Sequence, residues 1–433
     1  MRYLIVGNSA AGINAASEIR TKDSVSSITM ISKDTFNTYG RPLISYYLNN
    51  KIKPEDIYYH NKDFYIKHDI KVLLNSEVKE IDIKRKKILF CTKTKHNNDI
   101  LVYDKLLIAI GSNPILPSIA GLDYNYTNVF TFLSYEDSIK LKSSITRTSK
   151  VVILGAGLIG LKVAEGLAEQ VKNVTVIDLS DRIMSSNLDQ ASANIIQKHM
   201  ENHNIKFQLK SSITNVNNTH NLVTEVILST GDIIACDILI IAIGVLPNLN
   251  LAYKAGLKVN KGIIVNEYLQ TSNEDIYAAG DCVESVDLLS NKKSVFALWT
   301  SAANQGKIAG ENMSQGNHSK FLSEFAMNAI SFFGMHILSA GVVNTNLQNI
   351  QSVTMKCQSN QLCRLNILNN NLVGFIMINE NKRAGIYTAL IRNKTQLSSL
   401  AYDITNHQNS NVGFNVYSTT ERKRLLDLAN IKI

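Results

Sequence analysis

Val151-Val152-Ile153-Leu154-Gly155-Ala156-Gly157-Leu158-Ile159-Gly160 is the stretch from which the rest of the chain can be read. Four aliphatic residues ending at a glycine predict a buried parallel strand. The G-x-G-x-x-G spacing predicts a tight turn into a helix over Leu161 to Glu169. Gly155 permits the bend, Gly157 lets the backbone approach a pyrophosphate, and Gly160 lets helix and strand pack closely. Leu158 and Ile159 complete the turn, and the N-terminus of the helix beyond it attracts anions. A second strand, Val174 to Ile177, ends at Asp178, where a carboxylate suits the ribose 2′-hydroxyl of NAD. A 2′-phosphate would instead call for a cation, and Arg182, four residues on, keeps NADPH open.

The N-terminus carries a second version. Tyr3 to Val6 reads as a strand, Gly7-Asn8-Ser9-Ala10-Ala11-Gly12 as the turn, and the following residues to Arg20 as a helix before the strand Ser27 to Ile31. Ser9 stands where the middle glycine would be, and it is small enough to keep a close approach open. Two dinucleotide folds roughly 150 residues apart imply two nucleotides held so that one reduces the other.

Composition narrows the class. The 433 residues are 45% hydrophobic and 19% charged, enough apolar material for real cores. The longest apolar run, Ile233 to Leu246, is interrupted by Asp237 and ends at Pro247, too short to span a bilayer. Met1-Arg2 leads straight into the first strand, so a soluble, cytoplasmic protein is expected. The net charge of +9 favours anionic cofactors or an acidic partner, or reflects lysines on solvated faces. The densest basic run, Lys84-Arg85-Lys86-Lys87, sits on a short turn without interleaved aromatics, which argues against nucleic acid. Five cysteines form no CxxC pair and no Cys/His cluster with metal spacing, so no metal site is expected.

Three further segments complete the pattern: Leu106 to Pro114 with Ala109 and Gly111, Leu239 to Asn248 with Gly244, and Thr271 to Asp281 ending Ile276-Tyr277-Ala278-Ala279-Gly280-Asp281. With the two glycine turns, these make residues 1 to about 320 resemble the FAD-dependent pyridine nucleotide–disulfide oxidoreductase superfamily. The resemblance implies FAD at the first turn (Gly7, Ser9, Ala10, Ala11, Gly12, with Ala109 and Gly111). It implies NADH at the second (Gly155, Gly157, Leu158, Ile159, Gly160, Asp178, with Gly244). It also implies a flavin ribityl contact from Asp281. Trp299, before a helix-like stretch over Ala302 to Met313, would line the flavin pocket or serve as an ordinary core residue.

The segment Phe36-Asn37-Thr38-Tyr39-Gly40-Arg41-Pro42-Leu43-Ile44-Ser45-Tyr46-Tyr47-Leu48 selects the branch. It lacks the redox cysteine of disulfide-reducing members, so no thiolate can relay electrons from the flavin. It is similar instead to NADH:rubredoxin and ferredoxin reductases and to the flavin part of NADH-dependent nitrite reductases. That resemblance implies that Arg41, with Pro42, lies along the FAD, where a planar guanidinium binds phosphate oxygens bidentately. Three departures stand out. Tyr46 replaces a lysine common after the serine, and Lys162 replaces a glutamate near the nicotinamide. After the strand Ser27 to Ile31 comes Ser32-Lys33-Asp34 rather than an immediate acid. Lys162 is the candidate catalytic residue, as a cation stabilising reduced flavin; a solvated helix lysine is the other reading.

Residues from about 321 on read as a compact apolar stretch, Phe332 to Gly341, then two strands, Cys363 to Leu368 and Leu372 to Asn379, around an Asn-rich turn. An amphipathic helix is predicted over Arg383 to Ala401, followed by a mobile tail from about 404. The expected fold class is α/β: two Rossmann-like three-layer dinucleotide-binding domains plus a smaller α+β C-terminal interface domain. Its expected boundaries are 1–115 with 247–320 for FAD, 116–246 for NAD(P)H, and 321–433 for the interface domain. The expected activity takes a hydride from NAD(P)H, NADH preferred, onto FAD. Electrons then pass to a small acidic carrier such as rubredoxin or ferredoxin, from a homo-oligomeric enzyme. Oxygen reduction as an NADH oxidase, and a redox-sensing or assembly flavoprotein, are the alternatives.

Overall fold

The strand Arg2–Val6 is flanked in parallel by Ser27–Ile31 and Lys105–Ile108, and Ile70–Leu73 and Ile276–Ala278 extend the sheet on either side. The computed structural model describes residues 1–92, 95–344, 349–358, 360–400 and 404–405. Its chain divides into two compact units: Met1–Ile177 with Ser211–Glu324, and Asp178–Lys210 with Phe325–Ile433.

In the first unit the inner strands Arg2–Val6 and Lys105–Ile108 of that five-stranded parallel sheet are buried almost throughout, which explains their continuous aliphatic runs. The helix Ala10–Lys22 covers one face and is itself covered by the helix Trp299–Gln315. Small residues make this helix pair close. A Cβ on Gly306 would stand 2.1 Å from the Ala11 carbonyl oxygen, and one on Gly310 would stand 2.5 Å from that of Ala15. A second parallel arrangement repeats the plan: Val129–Thr131, Ile238–Ile241, Lys150–Leu154 and Asn173–Asp178. The expected second helix forms over Leu158–Leu167. Antiparallel ladders of three strands hang from each half, Ser76–Asp82 to Val102 and Ile213–Thr219 to Ala235. A short antiparallel pair, Ser112–Pro114 with Val245–Pro247, ties the two Gly/Pro turns together. The basic run at 84–87 is the turn of the first ladder, where Lys86 pairs with Asp275 at 2.5 Å and Arg85 with Asp82 at 3.4 Å.

The second unit is built on a five-stranded antiparallel sheet: Met327–Phe332, Met335–Gly341, Asn371–Ile378, Gln361–Leu368 and Gln351–Gln358. The predicted hairpin turns at Asn369 and Asn370, both at positive φ (49° and 63°), a conformation that asparagine tolerates well. Asp189 caps the helix Gln190–Glu201 by accepting the Ser192 N–H at 2.8 Å, and it also pairs with Arg364 from the sheet. The predicted C-terminal helix is shorter than expected, Ala384–Arg392. Lys394 turns to φ 48°, and the N–H groups of Lys394 and Thr395 return to the carbonyls of Ile391 and Leu390, closing the helix. The expected tail lies almost wholly outside the described residues. Among the described residues, no helix is long and apolar enough to cross a membrane.

The α/β class with paired parallel dinucleotide folds thus holds, because strand burial and glycine turns recur in both halves. Gly306→Ala should destabilise the first unit by about 1–3 kcal/mol or more, since the added methyl meets rigid backbone. Urea unfolding of the variant beside the parent would register it.

Candidate functional site

Each parallel sheet delivers a glycine turn at the C-terminal end of its central strand. Gly7 and Gly155 adopt φ of +119° and +115°, and their N–H groups donate to Ile31 and Ile177 carbonyls at 2.8 Å. A Cβ at either would stand 2.0 or 2.3 Å from the carbonyl oxygen of Ala109 or Ala242, the residues that follow the neighbouring strands. The third glycines are equally constrained: a Cβ on Gly12 or Gly160 would stand 2.0 Å from the Gly7 or Gly155 oxygen. The helices therefore begin right over the strand ends, with their first N–H groups pointing outward. Gly111 and Gly244, at φ +63° and +117°, open the matching Gly/Pro turns.

The middle positions differ. Gly157 is the N-cap of its helix, and no atom lies within 4 Å of where its Cβ would be. At the first turn Ser9 is the N-cap, and its hydroxyl does not cap the helix. It accepts instead from Arg41 Nε at 3.2 Å. Arg41 Nη1 donates to the Leu133 carbonyl at 3.0 Å, and Nη2 faces Asp34 at 3.5 Å. The residue expected to bind phosphate is thus held beside the turn, with Pro42 fixing the short 3-10 segment that carries it. Asp34, of the Ser32-Lys33-Asp34 departure, is the carboxylate that faces this guanidinium.

Asp281 follows the edge strand Ile276–Ala278, and Ser112 donates to its carboxylate at 3.2 Å. Burial pushes the Asp281 carboxyl above its usual range, against the Ser112 hydroxyl and the charge of Arg41, which pull it down. Arg41, Ser9 and Asp281 are therefore one electrostatic neighbourhood. Gly280 N–H is fixed by Gln305 Oε1 at 2.9 Å, a buried contact that the sequence did not signal. Trp299 begins the helix Trp299–Gln315 and meets Tyr59 edge-on at 5.6 Å.

Asn8 is buried in the same turn. Its Oδ1 accepts from the hydroxyls of Thr38 and Tyr65 at 2.6 and 3.0 Å, while its Nδ2 has no partner among the described residues. A buried donor left unpaired costs free energy unless a ligand or water satisfies it. With Ala10, Ala11 and the outward N–H groups, this donor fits an anionic dinucleotide at the first turn. At the second, the open space over Gly157 and the Leu158–Ile159 helix start fit another. Asp178 ends its strand with its carboxylate on the Ser180 N–H at 2.7 Å.

Lys162 is not a solvated helix lysine. It pairs with Glu165 on its own helix and lies 4.7 Å from the Tyr46 ring centroid. Two of the three departures, Tyr46 and Lys162, therefore touch each other. The nearest cysteine in sequence to Asp281 is Cys282, and burial pushes its thiol, like that of Cys236, up to about 12. Neither supplies a thiolate. The side chain of Cys357 lies outside the described residues.

Two glycine turns, one with a phosphate-suited arginine, define a two-dinucleotide oxidoreductase. Residues 1–306 match the pyridine nucleotide-disulphide oxidoreductase family, and the chain belongs to it. An NADH oxidase of Methanocaldococcus jannaschii is 35% identical over 326 residues, covering 74% of this chain and 71% of that protein. A rubredoxin-NAD(+) reductase of Pseudomonas putida is 30% identical over 283 residues, 65% of this chain and 72% of that protein. Among solved structures, an NAD-dependent persulfide reductase from A. fulgidus superposes with a TM-score of 0.86 at 26% identity, over 99% of this chain and 84% of that one. The enzyme is accordingly an FAD-dependent NAD(P)H oxidoreductase.

With Arg41 as the FAD phosphate contact that the resemblance implies, Arg41→Met should weaken FAD binding by about tenfold. Titration of apoprotein with FAD, followed by quenching of flavin fluorescence, measures the change.

Proposed function

We propose that this chain takes a hydride from NADH onto FAD and passes the electrons to a small acidic carrier protein such as rubredoxin or ferredoxin. The observation that carries the reading is the pair of equivalent turns, of which only the first has a guanidinium hydrogen-bonded to its middle residue. Gly7, Ser9, Ala10, Ala11 and Gly12 would hold the FAD pyrophosphate, with Arg41 on its oxygens and Asp281 on the ribityl chain. Ala109, Gly111 and Trp299 belong to that pocket. Gly155, Gly157, Leu158, Ile159, Gly160 and Gly244 would hold NADH, with Asp178 on its ribose. When bound, the two rings supply the chemistry: a hydride leaves one with its bonding electron pair and arrives on the other with one added negative charge. The protein's part is to place them and exclude water.

Preference for NADH over NADPH rests on Arg182. Its guanidinium donates to the carbonyls of Leu188 and Ser185 at 3.1 and 3.2 Å, to Asp181 at 2.8 Å and to Asn344 at 2.8 Å. A cation so engaged has few donors left for a 2′-phosphate. The carrier reading is supported by the +9 charge and by the cysteine-free segment 36–48. It is further supported by likeness to a rubredoxin-NAD(+) reductase. Likeness to an NADH oxidase favours oxygen as the second acceptor. The three-domain division at 1–115 with 247–320, 116–246 and 321–433, a homo-oligomer and a cytoplasmic setting complete the reading.

Anaerobic titration with NADH tests the first half: the visible flavin band should bleach at one NADH per flavin, and a protein that takes up no FAD would sink it. Adding rubredoxin, ferredoxin or air to the reduced sample identifies the acceptor by what restores the colour. Turnover with an acidic carrier should fall steeply with salt, and salt-independent turnover would leave oxygen as the acceptor. Asp178→Ala should raise KM for NADH by about tenfold and leave NADPH turnover nearly unchanged.

A further inference from the structure

The second glycine turn fixes where the loop after its neighbouring strand begins. Gly155 N–H donates to the Ile177 carbonyl at 2.8 Å, so Asp178 leaves the sheet beside that turn. The Asp178 carboxylate accepts the Ser180 N–H and bends the chain into the loop 179–188. That loop is wound around one guanidinium. Arg182 Nε donates to the Leu188 carbonyl at 3.1 Å, and Nη2 donates to that of Ser185 at 3.2 Å. The Ser180 and Ser185 hydroxyls meet at 3.0 Å. Met184, 2% exposed, is held at φ 48°, a conformation that a side-chain-bearing residue keeps only where its surroundings impose it.

Two further contacts come from outside these carbonyls. Nη1 donates to Asp181 at 2.8 Å, and Nη2 donates again to Asn344 Oδ1 at 2.8 Å. Asn344 lies 162 residues further along the chain, in the same compact unit as the loop. A second pin from that unit is Arg364, which pairs with Asp189 where the loop ends.

A phosphate engages an arginine through one of two forks, Nε with Nη2 or Nη1 with Nη2. Leu188 and Ser185 close the first fork as part of the loop's own fold. Asp181 and Asn344 close the second. Both are at the surface: the Asp181 side chain is 50% exposed, and Asn344 is exposed. Asp181 also sets a carboxylate beside Arg182, where it would repel a phosphate of roughly two negative charges.

We propose that Asp181 and Asn344 decide between NADH and NADPH, by withholding the second fork of Arg182 from a ribose 2′-phosphate. The proposal rests on the NADH reading above. Asn344 thereby gives the C-terminal sheet a part in choosing the nucleotide, although it belongs to neither glycine turn.

NAD+ and NADP+ differ only by the 2′-phosphate, and both bind the oxidised enzyme without turnover. Calorimetric titration of the FAD-loaded full chain with each gives a ratio of dissociation constants. In Asp181→Ala/Asn344→Ala that ratio should move about tenfold toward NADP+, with NAD+ affinity within about twofold of the parent. Asn344→Ala alone should move it about threefold. Adding Arg182→Ala to the pair should return the ratio to the parent value. A parent-like ratio in the double variant overturns the proposal, and so does a gain that survives Arg182→Ala. Where the double variant loses NAD+ binding as well, the ratio in Asn344→Ala alone decides in the same way. A FAD-loaded parent that binds neither nucleotide overturns the NADH reading and this proposal together.

Discussion

A helix can start directly over the end of a parallel strand only if nothing projects from the residues between them. In this chain that condition is met twice by the same contact, a glycine whose carbonyl oxygen would lie 2.0 Å from any Cβ five positions further on. The neighbouring strand closes the space from the other side, through Ala109 in one half and Ala242 in the other. Everything functional is hung on this closeness. It aims the free N–H groups of the helix outward, and it puts the middle residue of each turn, Ser9 or Gly157, where a phosphate would come.

The two halves then diverge by what occupies that middle position. An open Gly157 leaves the second turn to backbone and helix dipole alone. A serine at the first would narrow the approach, yet its hydroxyl is turned to Arg41, which Asp34 and the Leu133 carbonyl hold in place. The replacement thus brings a cation with it. Asp281 feels that cation too: the charge of Arg41 draws its carboxyl down against the burial that pushes it up.

The architecture was legible wherever a feature is local. Glycine spacing, aliphatic runs ending in Gly or Pro, and the Asn369–Asn370 turn each fix their own backbone, so sequence order suffices. Side chains that meet across the fold were not legible. Ser9 and Arg41 are 32 residues apart, Gly280 and Gln305 are 25 apart, and neither stretch signals the meeting. Tyr46 and Lys162 each read as an isolated departure, and only packing of their helices shows them to be one arrangement. The C-terminal helix ran short of its apolar pattern because capping by Lys394 and Thr395 outweighed periodicity. The unpaired amide of Asn8 could be found only by accounting for every buried donor.

The glycine-lined pairing of the helices Ala10–Lys22 and Trp299–Gln315 has a consequence during synthesis. The N-terminal sheet acquires its edge strand Ile276–Ala278 and its outer helix only after some 300 residues have been made. At ordinary ribosomal rates the first helix waits roughly 15 to 60 s for its partner. Its apolar face is uncovered for that time, while the second glycine turn and its strands emerge complete. The half that is written first is therefore finished last, and nascent chains stalled before residue 300 should lean on chaperones more than finished ones do.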